Sequence, residues 1–106
     1  MIDKFQAMII ILKYLIDLDE HNVKEENKYD TRHGIAVEAF SNSQREPRLA
    51  NILKGLVLLG YVEESKRKDI IYFKITEKGK ADYKKTLREA SNIFRSIIEK
   101  ELLDEK

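Results

Sequence analysis

The chain contains no cysteine. That excludes a disulfide scaffold, a thiolate metal site and a cysteine nucleophile. No apolar run reaches the roughly 18 residues that a membrane span requires. The longest, Ala7 to Leu12, stops well short of it. One lysine precedes this run and no small-residue cleavage site follows it, so a secretory signal is not expected and a cytoplasmic protein is. The four glycines, Gly34, Gly55, Gly60 and Gly79, are scattered and make no phosphate-cradling loop. No nucleophile stands beside a base in a familiar arrangement, so neither a catalytic residue nor an enzymatic activity is expected. The two histidines, His21 and His33, are too few for a familiar metal-sensor ligand set. Asp17, Asp19, Glu20 and His21 match no ligand spacing and read as a solvated helix end. Neither a metal nor a cofactor is expected.

What is present is charge and helical periodicity. Of the 106 residues 42% are apolar, which fits one domain with one modest core. Charged residues make up 37%, and with abundant Ile, Lys and Glu and a single Pro this leans towards a thermophile. The net charge of +1 conceals an uneven distribution. Residues 1–31 hold four Lys and seven acidic residues, residues 32–80 hold ten Lys/Arg and six, and residues 81–106 hold six of each. The basic excess therefore falls in the middle of the chain.

Ile2, Phe5, Met8, Ile9, Leu12, Leu15 and Ile16 recur at helical spacing and predict a first helix over residues 1–18. Ala7, Ile10, Ile11, Tyr14 and Leu18 widen its stripe, so a second face is available to a partner. Asp19 to Asp30 is almost wholly polar and reads as a loop, with room for a short strand. Asp30 or Thr31 suits the N-cap of a second helix over 31–40, which buries Ile35, Ala36, Ala39 and Phe40. Ser41-Asn42-Ser43 is a polar break. Ser43-Gln44-Arg45-Glu46 matches a capping box and opens a third helix over 43–59, with Pro47 in its first turn. Leu49, Ile52, Leu53, Leu56 and Leu59 form its inner stripe, and Gly60 stops it. A hairpin follows over 61–75. Its second strand alternates Ile71, Phe73 and Ile75 against Ile70, Tyr72 and Lys74, and its tip lacks Asn-Gly or Asp-Gly, so a turn wider than two residues is expected. A last helix spans 77–104. Tyr83, Leu87, Ala90, Phe94 and Ile97 form a heptad seam that Ile98 and Leu102 continue. At 1.5 Å per residue it would be ~42 Å long, more than one small core covers.

The order of helix, hairpin with a basic tip, and helix carries the functional signal. With the inner stripe of the third helix turned inward, Gln44, Arg48 and Asn51 share its opposite face, with Arg45 and Lys54 beside them. Arg matches the paired acceptors of guanine, and Asn or Gln the donor–acceptor pair of adenine. Lys66, Arg67 and Lys68 at the hairpin tip suit phosphates. Thr31 and Arg32 stand at a helix start, where backbone N–H groups suit an anion.

Residues 31–79 resemble the winged helix-turn-helix regulators, in the style of the MarR and PadR groups. The resemblance rests on Gly34-Ile35-Ala36, on Leu53-x-x-Leu56-x-x-Leu59-Gly60-Tyr61-Val62-Glu63, and on Tyr72-x-x-Ile75-Thr76-x-x-Gly79. The long last helix is similar to that of small archaeal winged-helix proteins that dimerise through a coiled coil. It implies a mainly α fold with a small β-hairpin wing (α+β), comprising a winged helix-turn-helix domain over 1–80 and a dimerisation helix over 77–104. The implied function is binding of double-stranded DNA as a homodimer, usually to repress transcription. Two departures stand out. Phe40 to Pro47 is longer than a tight turn, and Glu46 would repel phosphate unless its carboxylate is engaged. A protein-interaction module and an architectural chromosome-binding protein are the alternatives.

Overall fold

The computed structural model describes residues 3–104, and most side chains from Ala90 onward lie outside that description. The fold is mainly helical with a small three-stranded antiparallel sheet. Helix α1 spans Lys4–Glu20 and opens on a capping box, in which the Asp3 side chain accepts from the Gln6 N–H and the Gln6 side chain accepts from the Asp3 N–H. A 3-10 turn at Glu25–Lys28 leads into the short strand β1, Asp30–Thr31. Helix α2 covers Arg32–Phe40, with the Thr31 hydroxyl accepting from the Gly34 N–H as its N-cap. Helix α3 covers Glu46–Leu58, β2 Val62–Arg67, β3 Ile70–Ile75 and α4 Glu77–Asp104. The strand order is β1-β3-β2, so the 19–30 segment does contribute a strand to the hairpin sheet. Among the described residues no helix is long and apolar enough to cross a membrane.

One core holds these elements together. Ile11, Leu12, Leu15 and Ile16 of α1 meet Ile35 and Ala36 of α2, Leu49, Leu53 and Leu56 of α3, and Val62, Phe73 and Ile75 of the sheet. Removing each of these side chains larger than alanine from water contributes about 1.5–3 kcal/mol. The sequence periodicity predicted most of these positions, but three corrections are needed. Phe5, in the first turn of α1, is 62% exposed although it belongs to the expected stripe. Leu59 lies past the end of α3 and is 47% exposed, because α3 stops one residue earlier than its stripe suggests. Ile71 is 46% exposed, although it alternates with Phe73, because the distal hairpin extends past the core.

Local chemistry corrects two further expectations. The capping box at Ser43 does not form. Asn42 instead accepts from the Gln44 N–H and starts a 3-10 turn over Ser43–Arg45, and α3 begins at Glu46 with Pro47 in its first turn. The hairpin turn is also tighter than expected. Lys68 and Asp69 alone form it, both left-handed, with φ of 48° and 66°. A two-residue turn of this hand matches the twist of the strands, and Asp tolerates the conformation. Lys66 and Arg67 therefore belong to β2 rather than to the tip.

Two glycines are fixed by close approach. A Cβ on Gly34 would collide with the Asp30 carboxylate, which already accepts from the Tyr14 hydroxyl at 2.5 Å and the Thr31 N–H at 2.7 Å. Burial, and then Asp30, push the Tyr14 phenol pKa well up, so it remains a donor. A Cβ on Gly79 would collide with the Tyr61 carbonyl. Gly55, in the α3 interior, faces nothing.

The C-terminal end of α1, expected to be solvated, is corrected at one position: Asp19 is a buried carboxylate, held by Lys80 at 2.5 Å and Lys28 at 3.8 Å. Burial acts to raise its pKa, but the Lys80 hydrogen bond and the charges of Lys80, Lys28 and Lys74 override this and leave it below the usual carboxylate range. His21 caps the same helix end through the Asp17 carbonyl.

Two stability predictions follow from these contacts. Gly34→Ala and Gly79→Ala should each cost about 1–3 kcal/mol by overpacking, whereas Gly55→Ala should add about 0.5–1 kcal/mol. Urea unfolding of the three variants checks this, and three changes of one sign would contradict it. Asp19→Asn should cost roughly 1.5–3 kcal/mol at neutral pH. The folded-state pKa lies below the unfolded one, so this contribution is present above about pH 5 and is lost as pH falls past the ordinary value of about 3.9. The stability gap between wild type and variant should therefore narrow near pH 3; a gap independent of pH would contradict the ion pair.

Candidate nucleic-acid interface

The outer face of α3 is set by its inner one. Leu49, Leu53 and Leu56 are fully committed to the core, so Arg48, Asn51 and Lys54 must face outward, and all three are exposed. Gln44, in the preceding 3-10 turn, is exposed beside them. Two grooves flank this ridge. One, of about 360 Å³, runs between α3 and the start of α1, and Lys4, Arg45, Arg48 and Asn51 line it. The other, of about 700 Å³, runs between α3 and the hairpin, and Lys54, Glu64, Asp69 and Ile71 are among its walls.

The remaining candidate residues divide between open and engaged. Thr31 is half-buried and occupied as the α2 cap. Arg32 lies 3.5 Å from the Glu46 carboxylate, and His33 Nδ1 lies 2.8 Å from the other Glu46 oxygen. An ionised carboxylate only accepts, so His33 Nδ1–H is the donor. The His33 hydrogen bond, and then the charges of His33 and Arg32, hold the Glu46 carboxyl below its usual range. Glu46 is thus engaged, though by α2 rather than by its own helix cap. Arg45 lies over the Phe40 ring, 5.7 Å from its centroid.

The hairpin separates its basic residues by strand alternation. Register pairs Glu64 with Phe73 and Lys66 with Ile71, so Lys66 shares the face that lines the larger groove. Arg67 points to the opposite face, where its guanidinium lies 4.6 Å from the Tyr29 ring and 5.3 Å from that of Tyr72. Lys68 sits in the turn, fully exposed, and Lys66 approaches Asp69 only loosely, at 3.8 Å.

Sequence reasoning missed three participants. Lys4 adds a cation beside Arg48 and Asn51. His33 reads as an ordinary surface residue, yet it links α2 to α3 through Glu46. Tyr29 reads as a loop aromatic, yet it stacks on the hairpin. These partners are separated by 13 to 47 positions in the chain, where helical or strand periodicity offers no signal.

Of the dimer-seam positions, Tyr83 packs half-buried against the core and Leu87 is 43% exposed. The side chains of Ala90, Phe94, Ile97, Ile98 and Leu102 lie outside the described residues. No protein-family model matches the chain, and no curated protein matches it in sequence. Chemically, the outer face of α3 offers one guanidinium, one amide and one ammonium for base edges or phosphates, the turn before it adds the Gln44 amide, and the hairpin offers two ammonium groups for phosphates.

The three-way contact at Glu46 gives a direct test. Glu46→Ala should leave Arg32 and His33 without their partner and lower the unfolding midpoint. Thermal unfolding against His33→Ala and the double variant checks the coupling; costs that simply add would contradict it.

Proposed function

We propose that this chain is a winged helix-turn-helix DNA-binding protein that acts as a homodimer and represses transcription in the cytoplasm. In this reading α3 is the recognition helix, the β2–β3 hairpin is the wing, and α4 carries the dimer seam. The observation that carries the proposal is the exposed row of Arg48, Asn51 and Lys54 on a helix whose inner face is locked in the core, with Gln44 exposed in the turn that leads into it and Lys66 and Lys68 on the adjoining hairpin. A rigid helix with amide and guanidinium groups outward suits major-groove readout, and flanking ammonium groups suit the backbone. Engagement of Glu46 by Arg32 and His33 also supports it, because the carboxylate at the start of α3 is charge-balanced rather than bare.

The second reading is a protein-interaction module. Leu58, 79% exposed at the end of α3, with Ile70 and Ile71 about half exposed on the hairpin, favours it. A duplex-binding titration distinguishes the two. The DNA reading expects binding to random duplex that weakens steeply with salt, and tighter binding to a duplex selected from random DNA. No binding to either at low salt would transfer the account to the protein-interaction module.

Arg48→Ala should cost about 1–3 kcal/mol at its cognate base pair and less on a scrambled duplex. Lys68→Ala should weaken both duplexes alike and flatten the log–log salt slope by roughly 0.9. The reverse pattern would contradict the assignment of helix to specificity and hairpin to affinity. For the dimer, light scattering of Phe94→Asp combined with Ile98→Asp should report a monomer where wild type is a dimer. A monomeric wild type would refute the seam.

A further inference from the structure

The distal half of the hairpin has little to hold it. Strand β1 pairs only with Phe73 and Tyr72 of β3, so beyond that level the sheet has two strands. The Lys66–Ile71 and Arg67–Ile70 pairs and the Lys68-Asp69 turn make up this free ribbon. Ile70 and Ile71 are each about half exposed, so the core does not anchor it. A two-stranded ribbon on its own is marginal in water. Yet it carries both Lys66 and Lys68.

One contact ties the ribbon back to the body. The Arg67 guanidinium lies 4.6 Å from the centroid of the Tyr29 ring and 5.3 Å from that of Tyr72. Tyr29 is itself well held. Its hydroxyl donates to the Glu63 carboxylate at 3.1 Å, it leads directly into β1, and the preceding 3-10 turn is pinned by the ion pair of Glu25 with Lys74. Tyr72 lies within the three-stranded part of the sheet. A guanidinium stacked on aromatic faces is a planar, always-charged group held by attraction to the rings.

We propose that Arg67 is a positioning residue and not a phosphate contact: clamped by Tyr29 and Tyr72, it fixes the posture of the hairpin so that Lys66 and Lys68 reach a polyanion. This rests on the DNA-binding reading for what the hairpin does, but not for the clamp itself. Strand alternation turns Arg67 to the face opposite Lys66, and the clamp is built on that face.

The test uses two readouts on the full chain. The first is amide hydrogen exchange of Arg67 and Ile70 in the free protein, referenced to the core amide of Leu53. Tyr29→Leu and Arg67→Gln should each speed exchange by about two- to fivefold at that pair and leave Leu53 unchanged. Tyr29→Phe, which keeps the ring but loses the Glu63 hydrogen bond, should speed exchange less than Tyr29→Leu. The second is the salt slope of random-duplex binding. Tyr29→Leu and Arg67→Gln should weaken binding about two- to fivefold with the slope unchanged, whereas Lys68→Ala flattens it. Unchanged exchange in both variants would overturn the clamp. A slope flattened by Arg67→Gln as much as by Lys68→Ala would make Arg67 a phosphate contact and overturn the positioning role. If wild type binds no duplex, the DNA reading fails and the positioning role with it, while exchange still decides the clamp.

Discussion

The Tyr61 carbonyl is the point on which the architecture turns. It accepts from the Thr76 N–H at 3.0 Å, which closes the base of the hairpin. The Thr76 hydroxyl donates to the Gly60 carbonyl at 2.6 Å and accepts from the Gly79 N–H at 3.0 Å, which caps α4. Gly79 must lack a side chain because α4 begins against that same carbonyl. Gly60, at φ of 80°, turns the chain out of α3 into β2. Lys78 adds a hydrogen bond from α4 to the Leu59 carbonyl at 3.0 Å. The exit of α3, the root of the hairpin and the start of α4 are thus one rigid junction, and the candidate interface inherits its geometry from it.

Charge completes what the junction begins. Glu46 joins α2 to α3 through Arg32 and His33, and Asp19 joins α1 to α4 through Lys80. The Asp19 pair is largely withdrawn from water, so removing one partner strands the other. The Glu46 contacts are more exposed, and their role is orientation more than stability. What remains exposed on α3 and the turn before it is the set with useful chemistry, namely Arg48, Asn51 and Lys54 on the helix and Gln44 in the turn.

Much of this was legible in the sequence, and the failures have a common cause. The bounds expected for α4 match those observed and those for α2 fall within one residue, because Thr31 and Thr76 are capping residues with apolar periodicity behind them. The Thr76-x-x-Gly79 pattern marks the junction, and the short strand near Asp30 was anticipated. Local signals mislead where a non-local partner competes. Glu46 reads as a cap, yet Arg32 and His33 take its carboxylate. Arg67 reads as part of a basic tip, yet it lies in β2 on the face of Tyr29 and Tyr72. The turn reads as wide for lack of Asn-Gly, yet Lys68-Asp69 adopts the left-handed conformation because the strand register demands two residues.

The central claim is that α3 and the hairpin together form a surface for duplex DNA. Backbone amide chemical shifts, followed as a selected duplex is titrated in, test it most directly. The account predicts that the largest changes fall on Gln44, Arg48, Asn51 and Lys54 and on Lys66 and Lys68. Changes confined to the exposed start of α1 around Phe5, or no changes at all, would contradict it.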